Sequence, residues 1–215
     1  MKTAVADNCG IRKTEEWRQL LDTTEAVLVC NVAGKTALPE EVARHPRCRM
    51  LTWQSPETGR WLKRIPHGLG ADRVAADIGA RSMCPGRTLL IIDAGTCLTF
   101  DVIGSDGTIL GGAISPGTAL RLKAMHEHTS ALPLLDTGHG HPPVLGHDTA
   151  TAMRSGAING VRWETEGYIR HTLALYPDLI VFVTGGDSTE FPADLQPIIT
   201  CDRMLVQKGL LAAFT

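Results

Sequence analysis

Aromatic residues are scarce, at 5% of 215 positions. Proteins that bind nucleic acid by stacking bases on aromatic side chains carry more, so that mode is disfavoured. Charge of one sign is missing too: 21 basic against 23 acidic residues leave a net charge of -2. Without a basic excess there is no electrostatic footprint for a nucleic-acid partner. No segment offers the ~18 consecutive apolar residues that suggest a membrane span. The opening stretch, MKTAVADNCGIRKTEEW, lacks the apolar run of a secretory signal. There is no C-x-x-C pair either. Cys9, Cys30, Cys48, Cys84, Cys97 and Cys201 are scattered, which suits reduced thiols used as small core residues in a cytoplasmic protein. What is present is 43% apolar sequence with a mean hydropathy of +0.00. A chain of this length can bury a stable core without covalent staples.

The pattern of elements predicts an α/β protein. A helix is expected over Thr14–Asp22, capped by Thr14, then a buried strand over Ala26–Val32 and a weaker one over Arg49–Trp53. Residues 54–69 look like loop, and Asp72–Met83 like a helix with small residues on one side. Next come a buried strand over Thr88–Ile92, a strand over Leu98–Ile103, a turn at Ser105-Asp106-Gly107 and a return over Thr108–Leu110. A glycine-rich connection, Gly111–Gly117, leads to a helix over Thr118–His128. A Gly/His/Pro loop follows, then a glycine-interrupted helical stretch over Thr149–Tyr176 and a buried strand over Leu179–Thr184. A short helix, a strand near Ile198–Thr200 and a helix over Asp202–Ala213 complete the pattern.

The second half is therefore a three-strand meander followed by alternating helices and strands, the repeat unit of actin-like kinases. The first half carries only the later part of such a unit. Some 13 residues precede its first helix, whereas three strands with two turns need roughly 20 or more. The expected organisation is a pair of actin-like (ribonuclease H-like) halves with mixed sheets, 1–87 and 88–215, the first lacking its N-terminal β-meander.

Three short motifs carry chemistry. Asp93-Ala94-Gly95-Thr96 lies where a buried strand turns into a hairpin. Gly95 lets backbone approach a ligand, Thr96 adds a hydroxyl donor, and Asp93 supplies a hard oxygen to a cation. The same residues also make an acidic tight turn at a sheet rim. Gly185-Gly186 ends a second buried strand, where bare backbone suits an adenosine face or a plain strand-to-helix turn. Gly70-Ala71-Asp72-Arg73 opens a helix. Its carboxylate sits at the positive end of the helix dipole, where it could accept a proton from a substrate hydroxyl during phosphoryl transfer. An Asp favouring a helix N-terminus beside a surface Arg is the alternative there.

Two features resemble sites and fall short. Gly34-Lys35-Thr36 follows a strand, but Val29 stands where a Walker A loop needs its first glycine. His126, His128, His139, His141 and His147 lack the converging carboxylate or cysteine partner of a metal site and read as solvated histidines.

Taken together, the motifs resemble the type III pantothenate kinases. The resemblance runs over residues 26–215, through Gly70–Arg73, Asp93–Thr96 with Leu98–Asp101, Gly111–Gly117, Arg121–Ala124 and Thr129–Pro133. It continues through Leu145–Thr149 with Ser155-Gly156 and ends at Thr184–Asp187. It implies an actin-like fold, a cytoplasmic homodimer and ATP-dependent phosphorylation of pantothenate, the first step of coenzyme A synthesis, with Mg²⁺-ATP and a monovalent cation, K⁺ or NH₄⁺. It implies that Asp72 is the proton acceptor and that Gly70, Ala71 and Arg73 form the pantothenate loop. Thr149 corresponds to a further pantothenate contact made across the dimer, Asp93 to the cation ligand, and Thr96 to an ATP contact beside Gly95, Gly185 and Gly186.

Two departures stand out. Lys63 occupies the place of a tyrosine usual in the family, where it could pair with the pantothenate carboxylate. The family's opening Asp-x-Gly-Asn-Thr strand is not matched; Asp7 and Gly10 have the wrong spacing. Other readings are therefore a truncated or degenerate member acting as a regulatory or binding protein, or a different actin-like sugar or acetate kinase.

Overall fold

A computed structural model describes residues 19, 21–31, 40–138, 140–186 and 191–215. The expectations for Asp7, Gly10, the Thr14 cap, Gly34–Thr36, His139 and Asp187 lie outside the described residues. The chain forms two compact units, one comprising Met1–Cys84 with Met204–Thr215 and the other Pro85–Arg203.

In the first unit, strand β1 (Val27–Cys30), helix α1 (Glu40–Ala43) and strand β2 (Cys48–Leu51) form a βαβ turn. The two strands pair in parallel, with Val27 opposite Cys48 and Cys30 opposite Leu51. The segment expected to be loop contains a helix, α2 (Pro56–Trp61). Its start is set by Pro56 at the first helical position, where a missing N–H costs nothing. Thr58 is buried and donates its hydroxyl to the Thr52 carbonyl at 2.7 Å, a tertiary tie that composition did not reveal.

Helix α3 (Ala71–Met83) is buried at Ala71 and from Val74 through Ala80. Its small residues meet the last helix of the chain, Leu205–Phe214. A Cβ built on Gly79 would lie 2.4 Å from the Leu205 carbonyl oxygen, and one on Gly209 would lie 1.7 Å from that of Ala75. The two backbones thus touch directly, which only glycine at the crossing permits. The small-residue side expected for this helix is its packing face.

The second unit is built on a five-stranded sheet of β3 (Leu89–Ala94), β4 (Cys97–Ile103), β5 (Ile109–Pro116), β6 (Ile180–Gly185) and β7 (Ile199–Cys201). The order is β5-β4-β3-β6-β7. The first three strands form an antiparallel meander, and β6 and β7 add in parallel. This is the mixed sheet of an actin-like, ribonuclease H-like unit. On one face Leu90, Ile92, Phe100 and Val181 pack with Val161 and Ile169 of the long helix behind them. Full burial of each such side chain contributes roughly 1.5–3 kcal/mol.

Two glycine-rich segments differ from expectation. Gly111–Pro116, expected as a connection, continues β5 as an exposed edge strand, because its backbone pairs with β4 regardless of side-chain content. The helix expected to be interrupted by glycines runs unbroken as Thr149–Leu175. Its packing outweighs the ~1 kcal/mol that an interior glycine costs relative to alanine. The cysteines differ as well. Cys97 and Cys201 are exposed and Cys30, Cys48 and Cys84 half-buried, all with free thiols, so these five are not core residues.

Candidate functional site

The sequence-predicted residues fall into three groups. The first, in the first unit, is the start of α3. Gly70 is the residue before the helix (φ -56°, ψ 141°), and Asp72 lies in its first turn. Asp72 and Arg73 are half-buried, and the Arg73 backbone N–H donates to Asp72 Oδ1 at 2.8 Å. The approach to the helix is a constrained loop. Arg64 holds a left-handed φ of 52°, a conformation that costs of order 1–3 kcal/mol outside glycine. The rings of His67 and Trp53 pack at 4.7 Å between centroids. Lys63 is exposed. At the end of β1, Cys30 has a thiol pushed up to about 11, first by burial and then by the negative charge of Asp72. The carboxylate therefore sits close to the C-terminal end of a parallel strand, where open α/β sheets bind ligands.

The second group lies at the ends of β3 and β6. Asp93, half-buried, is aligned between Thr99 of β4 and Thr184 of β6. After it the chain turns tightly, with the Gly95 N–H donating to the Cys97 carbonyl at 3.0 Å. Two glycines press on this turn from either side. Gly185, at a φ of +101°, is so close that a Cβ would lie 2.3 Å from the Ala94 carbonyl oxygen. At Gly117 a Cβ would lie 2.2 Å from the Gly95 carbonyl oxygen and 2.8 Å from that of Thr96. The Gly117 N–H also donates to the Thr96 carbonyl at 3.0 Å. Asp93, Gly95, Thr96 and Gly185 thus come together as one backbone-lined feature, and Gly186 follows directly. Gly117 is part of it, although the motifs alone assigned it no role. The signal was a Pro-Gly pair immediately before a helix.

The third group surrounds Thr149, exposed at the first position of its helix. Asp148 caps that helix through a reciprocal pair with Thr151. Hydrogen bonds from the Thr151 backbone N–H and hydroxyl hold the Asp148 carboxyl below its usual range. The preceding strap is tied down by the Ser155 hydroxyl, which donates to the Val144 carbonyl at 2.7 Å. Gly146 packs against the first turn, where a Cβ would lie 2.2 Å from the Ala152 nitrogen. Val144, Leu145 and Trp163 stand outward, 61%, 77% and 50% exposed. They line an open groove of ≈ 380 Å³ together with Gly156. Sequence reasoning did not anticipate this apolar surface, because the strap reads as a polar Gly/Pro loop.

His126 Nδ1 is hydrogen-bonded to the Leu132 carbonyl at 2.7 Å, and among the described residues no three His, Cys, Asp or Glu side chains gather as a metal site. Among the described residues no helix is long and apolar enough to cross a membrane.

Comparison with known proteins bears on the fold and the family. A crystal structure described as that of a conserved Baf family transcriptional activator from Campylobacter jejuni superposes with a TM-score of 0.58 at 24% identity, covering 91% of this chain and 85% of the other. That similarity shows the fold. Type III pantothenate kinase from Phocaeicola vulgatus is 45% identical over 160 residues, 74% of this chain and 66% of its own length. The one from Bacteroides fragilis is 46% identical over 149 residues, 69% of this chain and 61% of its own length. The chain thus spans just under two thirds of the length of these relatives. The family model for type III pantothenate kinase matches residues 2–171, and on that match, with the motifs in the places described, the chain belongs to the type III pantothenate kinase family.

Proposed function

We propose that the protein phosphorylates pantothenate with ATP, with Asp72 as general base. The observation that carries this reading is the half-buried Asp72 in the first turn of α3, within an intact Gly70–Arg73 motif and beside the end of β1. In the proposed reaction the pantothenate hydroxyl oxygen attacks the γ-phosphorus, its proton passes to Asp72, and ADP leaves. Ala71 and Arg73 flank the base, and a guanidinium there suits an anionic group of either substrate. Lys63, on the approaching loop, offers a cation for the pantothenate carboxylate.

The turn at Asp93–Thr96 is the proposed site for ATP phosphates, with Gly185 and Gly186 beside the adenosine. Its close-packed backbone and the Thr96 hydroxyl support that reading. Asp93 is the proposed ligand of K⁺ or NH₄⁺. The donor fits, because a carboxylate oxygen suits a hard cation; Gly95 lies beside it, where an added Cβ would come into ordinary contact with Asp93 Oδ1 at 3.7 Å. Bound cations supply positive charge that offsets the negative charge of the phosphates.

The proposed active form is a cytoplasmic homodimer. The exposed Val144, Leu145 and Trp163 next to the Thr149 helix support it, since exposed apolar surface of this kind marks association. Free thiols at the five described cysteines agree with a reducing compartment.

The test is ADP release dependent on pantothenate, with Mg²⁺ and K⁺ present. Asp72→Asn is expected to lower turnover at least 10³-fold with nearly unchanged MgATP affinity. Turnover within a few-fold of the parent would overturn the assignment of the base.

A further inference from the structure

Arg121 lies at the end of the first turn of the helix Thr118–Glu127, where the dipole disfavours a cation. Its side chain is nonetheless fixed by three partners. Arg121 Nε donates to the Pro116 carbonyl at 2.8 Å, Nη2 approaches Ser115 Oγ at 3.4 Å, and Nη2 pairs with Glu164 of the long helix. Gly160, one turn before Glu164, makes room: a Cβ there would lie 3.2 Å from Arg121 Nη1. Both Arg121 and Glu164 are half-buried.

The guanidinium therefore holds the Ser115–Pro116 segment just before Gly117, while the Arg121 backbone N–H bonds the Gly117 carbonyl just after it, at 3.0 Å. Gly117 is the residue pressed onto the carbonyls of Gly95 and Thr96. A shift of Gly117 by a few tenths of an ångström would move that turn.

We propose that Arg121, anchored by Glu164, is a positioning residue that sets the Asp93–Thr96 turn for nucleotide and cation binding. The inference rests on the nucleotide reading of that turn given above. Arginine is required rather than lysine, because only a planar fork reaches a backbone carbonyl and a carboxylate together.

The experiment pairs steady-state kinetics with direct titration of MgATP on Arg121→Met, Arg121→Lys and the near-isosteric Glu164→Gln, each checked for folding by circular dichroism. The expected result is a rise of about tenfold in the KM for MgATP and in the K⁺ concentration for half-maximal activity. The KM for pantothenate is expected to change less than about twofold. Arg121→Lys restores the melting temperature without restoring the MgATP KM, and the double variant Arg121→Met/Glu164→Gln is no worse than Arg121→Met alone. A purely structural role would raise both KM values alike or be rescued fully by lysine, and either result overturns the proposal, as does an unchanged MgATP KM in all three variants. Should the parent bind MgATP yet release no ADP with pantothenate, the acceptor reading fails while the titration still decides the role of Arg121. A parent that binds no MgATP overturns both.

Discussion

Asp72 constrains the chemistry of its neighbour Cys30. The thiol of Cys30 is held neutral, its pKa raised from 9.0 to about 11 by burial and by the Asp72 charge. A thiolate, not a thiol, reacts with alkylating reagents, so Cys30 should be inert where Cys97 and Cys201, both exposed, are not. Iodoacetamide at pH 8, followed by peptide mass mapping, is expected to label Cys97 and Cys201 first and Cys30 only on unfolding. Equal rates at all three would contradict the assigned environment. The linkage has a definite sign. With the folded pKa above the unfolded one, stability from this group is complete below about pH 9 and is lost as pH rises through 11. Asp72 itself was legible from its motif, since an acid in a helix first turn after glycine is a local pattern. Its thiol neighbour was not, because Cys30 and Asp72 meet only through the packing of β1 against α3.

At the scale of elements, glycine decides where backbones meet. The crossing of α3 with the helix Leu205–Phe214 depends on Gly79 and Gly209. Gly209→Ala would set a methyl 1.7 Å from the Ala75 carbonyl oxygen, and the helices must part. The expected cost is ~3 kcal/mol or more, measured as a shift in the urea midpoint at constant slope. An unchanged midpoint would mean that the helices are not in contact there. Glycine also explains the local misreadings. In Gly111–Pro116 it signalled a connection, yet β4 supplied hydrogen-bond partners and made it a strand. In Thr149–Leu175 it signalled breaks, yet one of those glycines, Gly160, is where Arg121 lies against the helix. Both outcomes depend on tertiary partners that no local window contains. The buried strands β3 and β6 were legible, because continuous β-branched and leucine runs are demanded by a strand covered on both faces.

At the scale of the whole molecule, the two units are unequal in sequence terms. Pro85–Arg203 is continuous, whereas the other unit joins Met1–Cys84 to Met204–Thr215. Reading elements in order assigns the last helix to the half that it follows; in the structure it packs against α3, and no periodicity within that helix names its partner. Removing Met204–Thr215 is expected to strip amide-exchange protection from Ala71–Met83 while Leu89–Ala94 and Ile180–Gly185 keep theirs. Full protection of Ala71–Met83 in the shortened chain would refute this dependence.

The return of the last helix to the first unit also sets an order of events during synthesis. Chains fold vectorially as they leave the ribosome, with continuous segments able to close first. The sheet of Pro85–Arg203 has all its strands once Arg203 has emerged. The helix carrying Asp72, although made much earlier, waits for Met204–Thr215 before its small-residue face is covered. The unit translated first is therefore completed last, and the proposed base acquires its final setting only after the turn at Asp93–Thr96 already can.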